Sequence, residues 1–395
     1  MAGPTRVRDL HHQVVNPPDA TPHSESKPTW PAPLPPPIAA VDLFCGAGGL
    51  SQGLQEAGIS VVAGIDVDPQ CRFPFEHNIE ASFLEADIRD IRAGHLGRLW
   101  PEGAVTLLAG CAPCQPFSAY RRGADTSGDE KWALLAEFGR LVREARPHLV
   151  TMENVPRISS TSVFSGFLTT LTESGYAFAW RSCYGPDYGL AQGRRRLVLV
   201  GSRLGPARLP TRQVHPNDYA SVRDVIGDLP PLAAGGSDHD DPLHTCRRLS
   251  AVNLERIRAS VPGGTWESWP SDLRAPCHQK ASGASFRNVY ARMEWDKPAP
   301  TITTMAFNFG TGRFGHPEQD RPISLREAAL LQGFPRDYAF VKPGAPVQFT
   351  QVGRLIGNAV PPPLGRAIGE ALTRQVRRVA AGQQRLPLAL MGAVS

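Results

Sequence analysis

Cys111-Ala-Pro-Cys114 carries the residue types best suited to covalent chemistry in this chain of 395 residues. Either thiol can act as a nucleophile, as a redox partner of the other, as a metal ligand, or as a small buried hydrophobe. Zinc would need two further ligands, and no second Cys-x-x-Cys or paired His/Cys cluster accompanies them, so no metal is expected. Glu153-Asn154-Val155-Pro156 supplies a carboxylate able to serve as general acid, or merely as a helix cap or ion-pair partner. Gln192-x-Arg194-x-Arg196 places polar and cationic groups at alternate positions. Upstream, Gly46-x-Gly48-Gly49 is followed twenty residues after Gly46 by Asp66. A glycine turn with an acid at that distance suits a nucleotide-like cofactor, the carboxylate accepting from ribose hydroxyls.

These groups need elements to hold them, and the apolar pattern provides them. Val105 to Ala109 reads as a buried strand that stops at Gly110, after which Pro113 and Pro116 impose an irregular loop. Ile38 to Phe44 is a strand, Leu50 to Ala57 a helix, and Val61 to Ile65 a second strand ending at Asp66. That is a βαβ unit with a glycine-rich first turn. A third strand ends near Leu84, just before Asp87. A helix over Trp132 to Ala145 leads through Pro147 to a strand, Leu149 to Met152, so Glu153 lies beyond a strand end, at the same rim as the thiol loop. Alternate residues of an extended segment share a face, so Gln192, Arg194 and Arg196 point together and Arg195 points away, ahead of a strand over Leu197 to Val200. Ser324 and Glu327 form a capping box at the start of a helix.

Composition frames the remainder. A content of 41% hydrophobic and 20% charged residues is that of a soluble globular protein. No apolar run is long enough to span a membrane. Met1 to Asp19 lacks the apolar core of a secretory signal, and seven scattered cysteines make no disulfide framework, so a reducing cytoplasm is the expected setting. Residues 1–37 are rich in Pro, Thr, Ser and His and read as a disordered tail. Ser118 to Glu130 has the polar, glycine-containing composition of a lid. From 201 to 297 the βα rhythm gives way to Pro, Gly, Trp and Arg. Between Arg181 and Pro300 there are 17 Lys/Arg against 12 Asp/Glu, whereas the rest of the chain balances at 25 of each. A basic segment suits a polyanion, though a solvated basic surface would look the same.

Taken in order, these motifs resemble those of the DNA cytosine-5 methyltransferases. Asp42-Leu-Phe-x-Gly-x-Gly-Gly49, Pro113-Cys114-Gln115, Glu153-Asn154-Val155, Gln192-x-Arg194-x-Arg196, Arg326-Glu327 through Leu331-Gln-Gly-Phe-Pro335, and Gly357-Asn358-Ala-Val360 follow the family order. The resemblance implies an α/β, Rossmann-like S-adenosylmethionine-dependent methyltransferase sheet with a small loop-rich target-recognition domain. It divides the chain into a catalytic part over 38–200, recognition over 201–297, a return over 298–379 and a tail over 380–395. It implies Cys114 as nucleophile, Glu153 as acid, and Arg196 at the cytosine O2, with Arg194 and Gln192 in support. Cys111 is then left as a packing neighbour, and water as the acceptor of the C5 proton. For S-adenosylmethionine it implies Phe44 at the adenine and close approach at Gly46, Gly48 and Gly49. Asp66, or Asp68 in a shifted register, would bind the ribose. Val67, Asp87 and Ile88 would lie along the cofactor, and Asn358 near its methionine end. The implied partner is double-stranded DNA, whose target base must be flipped into the pocket beneath the lid. A monomer is expected, with a cognate restriction endonuclease as a possible companion. A tRNA methyltransferase and a non-catalytic DNA-binding relative are the competing readings.

Overall fold

Period-two alternation divides the central strands of this protein between two apolar layers. The computed structural model describes residues 13–15, 36–113, 131–280 and 287–382. Cys114, the Ser118–Glu130 segment and most of the Pro-rich tail therefore lie outside the described residues. The strands are β1 (Gln13–Val15), β2 (Ile38–Leu43), β3 (Ser60–Asp66), β4 (Ser82–Glu85), β5 (Val105–Gly110), β6 (Leu149–Asn154), β7 (Ala177–Tyr184) and β8 (Arg195–Ser202). The helices are α1 (Gly49–Glu56), α2 (Arg72–Ile79), α3 (Ala93–Leu99), α4 (Lys131–Ala145), α5 (Ser162–Glu173), α6 (Val222–Ile226), α7 (Ala251–Arg258), α8 (Leu325–Leu331), α9 (Phe349–Asn358) and α10 (Pro362–Ala380).

The strands form one sheet in the order β1-β7-β8-β6-β5-β2-β3-β4. Ala40, Leu107, Ala109, Leu149, Val198 and Val200 face one apolar layer. Val41, Leu43, Leu108, Val150, Met152, Leu197 and Leu199 face the other. β2 pairs in parallel with both β3 and β5, so the chain leaves the centre in opposite directions at the ends of β2 and β5. A crevice opens at such a reversal, outside the carboxyl ends of the strands. β8 is antiparallel to its neighbours β6 and β7, so its first residues lie beside the last residues of β6.

The structure moves one boundary: Glu153 and Asn154 do not follow strand β6 but end it, paired with Val198 and Leu197. Gln13–Val15, within the Pro-rich tail, adds antiparallel to β7 and covers a sheet edge. The variable segment divides between two cores. Leu204, Val222, Ile226, Leu243 and Met293 join the main core. A separate core gathers Ile257, Trp266, Trp269 and Phe309, with Tyr290 against it. That second core is built by Leu249 to Tyr290, with Phe309 added from the returning segment, so 201–297 divides between two cores.

Glycines draw α10 onto α1. At Gly53 a Cβ would run into the backbone at Pro362 and Arg366, and at Gly49 into the Val360 carbonyl. The loop after β2 is therefore held from behind by a segment more than three hundred residues away in the sequence.

Candidate active site at the carboxyl rim of the sheet

Glu153 is buried at the end of β6, and its two oxygens have different neighbours. Arg196 Nε lies 3.0 Å from Oε1. That approach is an ion pair without hydrogen-bond alignment, and Oε1 has no hydrogen-bond partner among the described residues. The Cys111 thiol donates to Oε2 at 2.9 Å. Both contacts follow from register: Glu153 faces Val198, so Arg196, two residues earlier on the antiparallel strand, sits diagonally across the same face. A parallel β8 would have carried Arg196 to the far end of the sheet. Arg196 also donates from Nη1 to the Arg195 carbonyl at 2.7 Å.

Asn154 fixes the adjoining loop. Its Nδ2 donates to the Ala112 carbonyl at 3.0 Å, and its Oδ1 accepts from Val155 N at 2.8 Å. Cys111 N donates to Leu43 O at 3.3 Å, extending the β2–β5 ladder by one residue. The stretch leading into Cys114 is thereby tied to both β2 and β6. Asn154 is thus a positioning group that its motif does not single out. An amide beside a catalytic-looking acid at a strand end was the available signal.

Gln192 and Arg194 precede β8 and bond to the returning segment. Gln192 is buried, donating to Leu331 O at 2.9 Å and Gln332 Oε1 at 2.8 Å while accepting from Ile302 N at 2.9 Å. Arg194 donates to Ile302 O at 2.9 Å and to Gly357 O at 3.2 Å. Together they join the start of β8 to the returning segment and to the end of α9 beside Asn358. Arg195 turns outward over the Tyr184 ring, as alternation requires.

The loop after β2 is shaped for a ligand. Phe44 has φ 57°, a left-handed conformation costly for a side chain with a Cβ, and Gly46 and Gly48 have φ 53° and 89°. A Cβ at Gly46 would meet open space, whereas one at Gly48 would press on Ile79 and Tyr338. Of the three glycines, then, Gly46 faces a cradle, while Gly48 and Gly49 permit packing. Asp66 closes this loop: Oδ2 accepts from Gly46 N at 2.9 Å and Oδ1 from Asp68 N at 3.0 Å. Burial pushes its carboxyl above the ordinary value despite those bonds.

Asp68 points elsewhere, capping the turn at Pro69–Cys71 through Gln70 N and pairing with Arg354 at 2.7 Å. Val67 between them is 67% exposed, a large apolar side chain presented to solvent at the rim. Asp87 caps the next turn and is gripped by Arg89, whose hydrogen bonds hold its carboxyl below the ordinary value. Ile88 is buried, its side chain in the core and its carbonyl taken by Arg140. Asn358 is exposed at the end of α9. Beneath the loop, Asp42 is buried and accepts from Ser51 Oγ at 2.7 Å, and burial lifts its carboxyl to about 7. An open backbone cradle, a flanking acid and an exposed apolar residue fit an adenosine-bearing group.

Residues 38–374 match the model of a family described as C-5 cytosine-specific DNA methylase. The type II methylase M.HgiDII of Herpetosiphon aurantiacus is 48% identical over 339 residues, covering 85% of this chain and 95% of that protein. The type II methyltransferase M1.HphI of Haemophilus parahaemolyticus is 30% identical over 345 residues, covering 85% and 87%. Among solved structures, a prophage-encoded chain from E. coli assigned as a DNA modification methyltransferase superposes with a TM-score of 0.67 at 21% identity. It covers 86% of this chain and 99% of its own, which demonstrates the shared fold.

Proposed function

This chain belongs to the C-5 cytosine-specific DNA methylase family and methylates cytosine C5 in DNA with S-adenosylmethionine; on that premise, we propose how its own residues divide the work. Cys114 is the nucleophile, Glu153 the acid, and Arg196 the cation at the O2 carbonyl. The observation that carries this reading is the buried Glu153–Arg196 pair beside the loop that leads into Cys114. Glu153 Oε1 lacks a hydrogen-bond partner among the described residues, so a base seated there would supply one.

Cytosine C5 is a poor nucleophile until C6 is attacked. Cys114 forms an S–C6 bond while Glu153 delivers a proton to N3, and the C5=C6 electron pair becomes available at C5. Arg196 stabilises the charge at O2, worth about 2–4 kcal/mol if it resembles a single oxyanion-hole donor. Bound S-adenosylmethionine would supply the electrophilic methyl group: its sulfonium S–CH3 bond would break as C5 takes the methyl, releasing S-adenosylhomocysteine. A water then removes the C5 proton, the double bond re-forms, the Cys114 thiolate leaves and N3 returns its proton to Glu153.

The same reading assigns the cofactor to the loop after β2. Asp66 is the ribose ligand in preference to Asp68, which Arg354 already holds. Phe44, Gly46 and Val67 line the adenosine side with Asp87, and Asn358 stands toward the methionine end. Ile88, like Gly48 and Gly49, supports this wall from behind. Residues outside the loop complete the proposal: the aromatic module reads the target sequence in duplex DNA, the protein acts as a monomer in the cytoplasm, and a restriction endonuclease shares its site. No helix among the described residues is long and apolar enough to cross a membrane.

The test is methyl transfer from labelled S-adenosylmethionine to unmodified genomic DNA and, separately, to tRNA. Cys114→Ser lowers the DNA rate by about 10³-fold or more while cofactor binding persists. Full activity in that variant, or label only in tRNA, defeats the proposal.

A further inference from the structure

We propose that Cys111, the first cysteine of Cys111-Ala-Pro-Cys114, is a positioning residue for the acid: its thiol holds one oxygen of Glu153 so that the other meets the cytosine. This rests on Glu153 being the acid of the reading above. The observation is the 2.9 Å contact from Cys111 Sγ to Glu153 Oε2, made by a half-buried thiol to a carboxylate almost wholly withdrawn from water.

A carboxyl group at the end of a three-bond side chain turns freely about its last bond unless something fixes its plane. Arg196 alone does not fix it, because its Nε lies 3.0 Å from Oε1 without hydrogen-bond alignment and attracts mainly through charge. The thiol supplies the directional contact, on the opposite oxygen. With Oε2 held, Oε1 is the oxygen left without a hydrogen-bond partner among the described residues and beside the guanidinium assigned to O2. Cytosine N3 and O2 are adjacent acceptors on one ring edge, so an oxygen and a guanidinium fixed side by side match that edge.

The backbone makes the arrangement dependable. Cys111 continues the ladder from β5 through its N–H to Leu43 O, and Asn154 clasps Ala112 O on its other side. The thiol is therefore carried by backbone already bonded to the strand that bears Glu153.

The experiment compares Cys111→Ala, Cys111→Ser, Glu153→Gln and the Glu153→Gln/Cys111→Ala double variant. The full chain is used with tritiated S-adenosylmethionine and unmodified bacterial genomic DNA, and single-turnover rates are measured beside KM for each substrate. Cys111→Ala slows methyl transfer about tenfold, the factor one ordinary neutral hydrogen bond commands, with both KM values nearly unchanged. Cys111→Ser, which restores a donor, recovers most of that loss. In the Glu153→Gln background, Cys111→Ala slows the reaction no further, because the two groups act as one unit. An unchanged rate in Cys111→Ala, a serine variant as slow as the alanine, or additive losses in the double variant each overturn the inference. Thermal melts check folding, and Cys111→Val replaces the alanine variant if the latter does not fold. Glu153→Gln at the parent rate would instead refute the acid assignment itself, and this inference with it. A slow Glu153→Gln beside an unaffected Cys111→Ala refutes Cys111 alone.

Discussion

A carboxylate changes character with its surroundings, and two in this site show opposite uses of burial. Glu153 is buried against a cation and a thiol, each on its own oxygen. Asp42 is buried with the Ser51 hydroxyl as its side-chain donor among the described residues, and desolvation lifts it to about 7 from an ordinary 3.8. The folded chain then holds the Asp42 proton more tightly than the unfolded chain does, so stability declines as pH rises from about 4 to about 7 and stays reduced above that. Asp42→Asn removes this dependence. Its melting temperature should gain on the parent through that window and the gap should level off above it; a gap constant from pH 4 to pH 8 contradicts the burial argument. Individual residues were partly legible in the sequence. Cys114 stood out by its proline and glutamine neighbours, and Glu153 by its position after an apolar run. The contact of Cys111 was not legible: its partner lies forty-two residues away on another strand, and nothing in spacing foretells which oxygen a thiol will meet. Asp66 and Asp68 look alike in the sequence, and the pairing of Asp68 with Arg354 depends on a residue far along the chain.

Elements were legible wherever their signal was local. Strand alternation, the glycine that ends β5 and the Ser324–Glu327 capping box all announced themselves, and the box is formed as expected. The orientation of β8 was not legible, because an antiparallel neighbour and a parallel one can carry the same apolar run. Yet that orientation is what brings Arg196 to Glu153. The role of Gln192 and Arg194 was hidden for a related reason: their partners, Leu331, Ile302 and Gly357, belong to a segment that returns after the variable region. The α1–α10 contact is the clearest case. Gly53→Ala should cost about 1–3 kcal/mol, since its Cβ meets backbone that cannot swing aside. Gly49→Ala should add a loss of cofactor affinity, because the Val360 carbonyl it strikes is part of the wall behind the loop. Equilibrium unfolding and S-adenosylmethionine titration check the two; an alanine at either position that leaves stability intact shows that α10 can yield.

At the scale of the whole molecule, sequence composition located the variable region but not its true partition. Pro and Gly content marked 201–297 as irregular, whereas burial assigns Val222, Ile226 and Leu243 to the main core and keeps only the Trp266–Trp269–Phe309 cluster apart. Composition records how a segment is built, and which core it joins depends on contacts that composition does not contain. Exchanging residues 249–290 for the equivalent part of a relative should therefore alter the methylated sequence, read by bisulfite sequencing, while leaving S-adenosylmethionine binding unchanged. Exchanging 204–246 should instead unfold the protein, as a thermal melt would register. If the first exchange also abolishes cofactor binding, the module is not independent.

The course of α10 has a practical consequence. Thr373 reaches the Ala57 carbonyl and Gln375 donates to Ser202 at 2.7 Å, so α10 finishes at the end of the sheet where the parallel strands begin. Ile38 opens β2 at that same end. Both ends of the ordered catalytic unit thus emerge from the floor of the sheet, opposite the rim that carries Glu153 and Arg196. A second domain joined at either side would hang beneath the enzyme and leave that rim clear, which makes this fold a natural cargo for a tether that delivers it to a chosen locus.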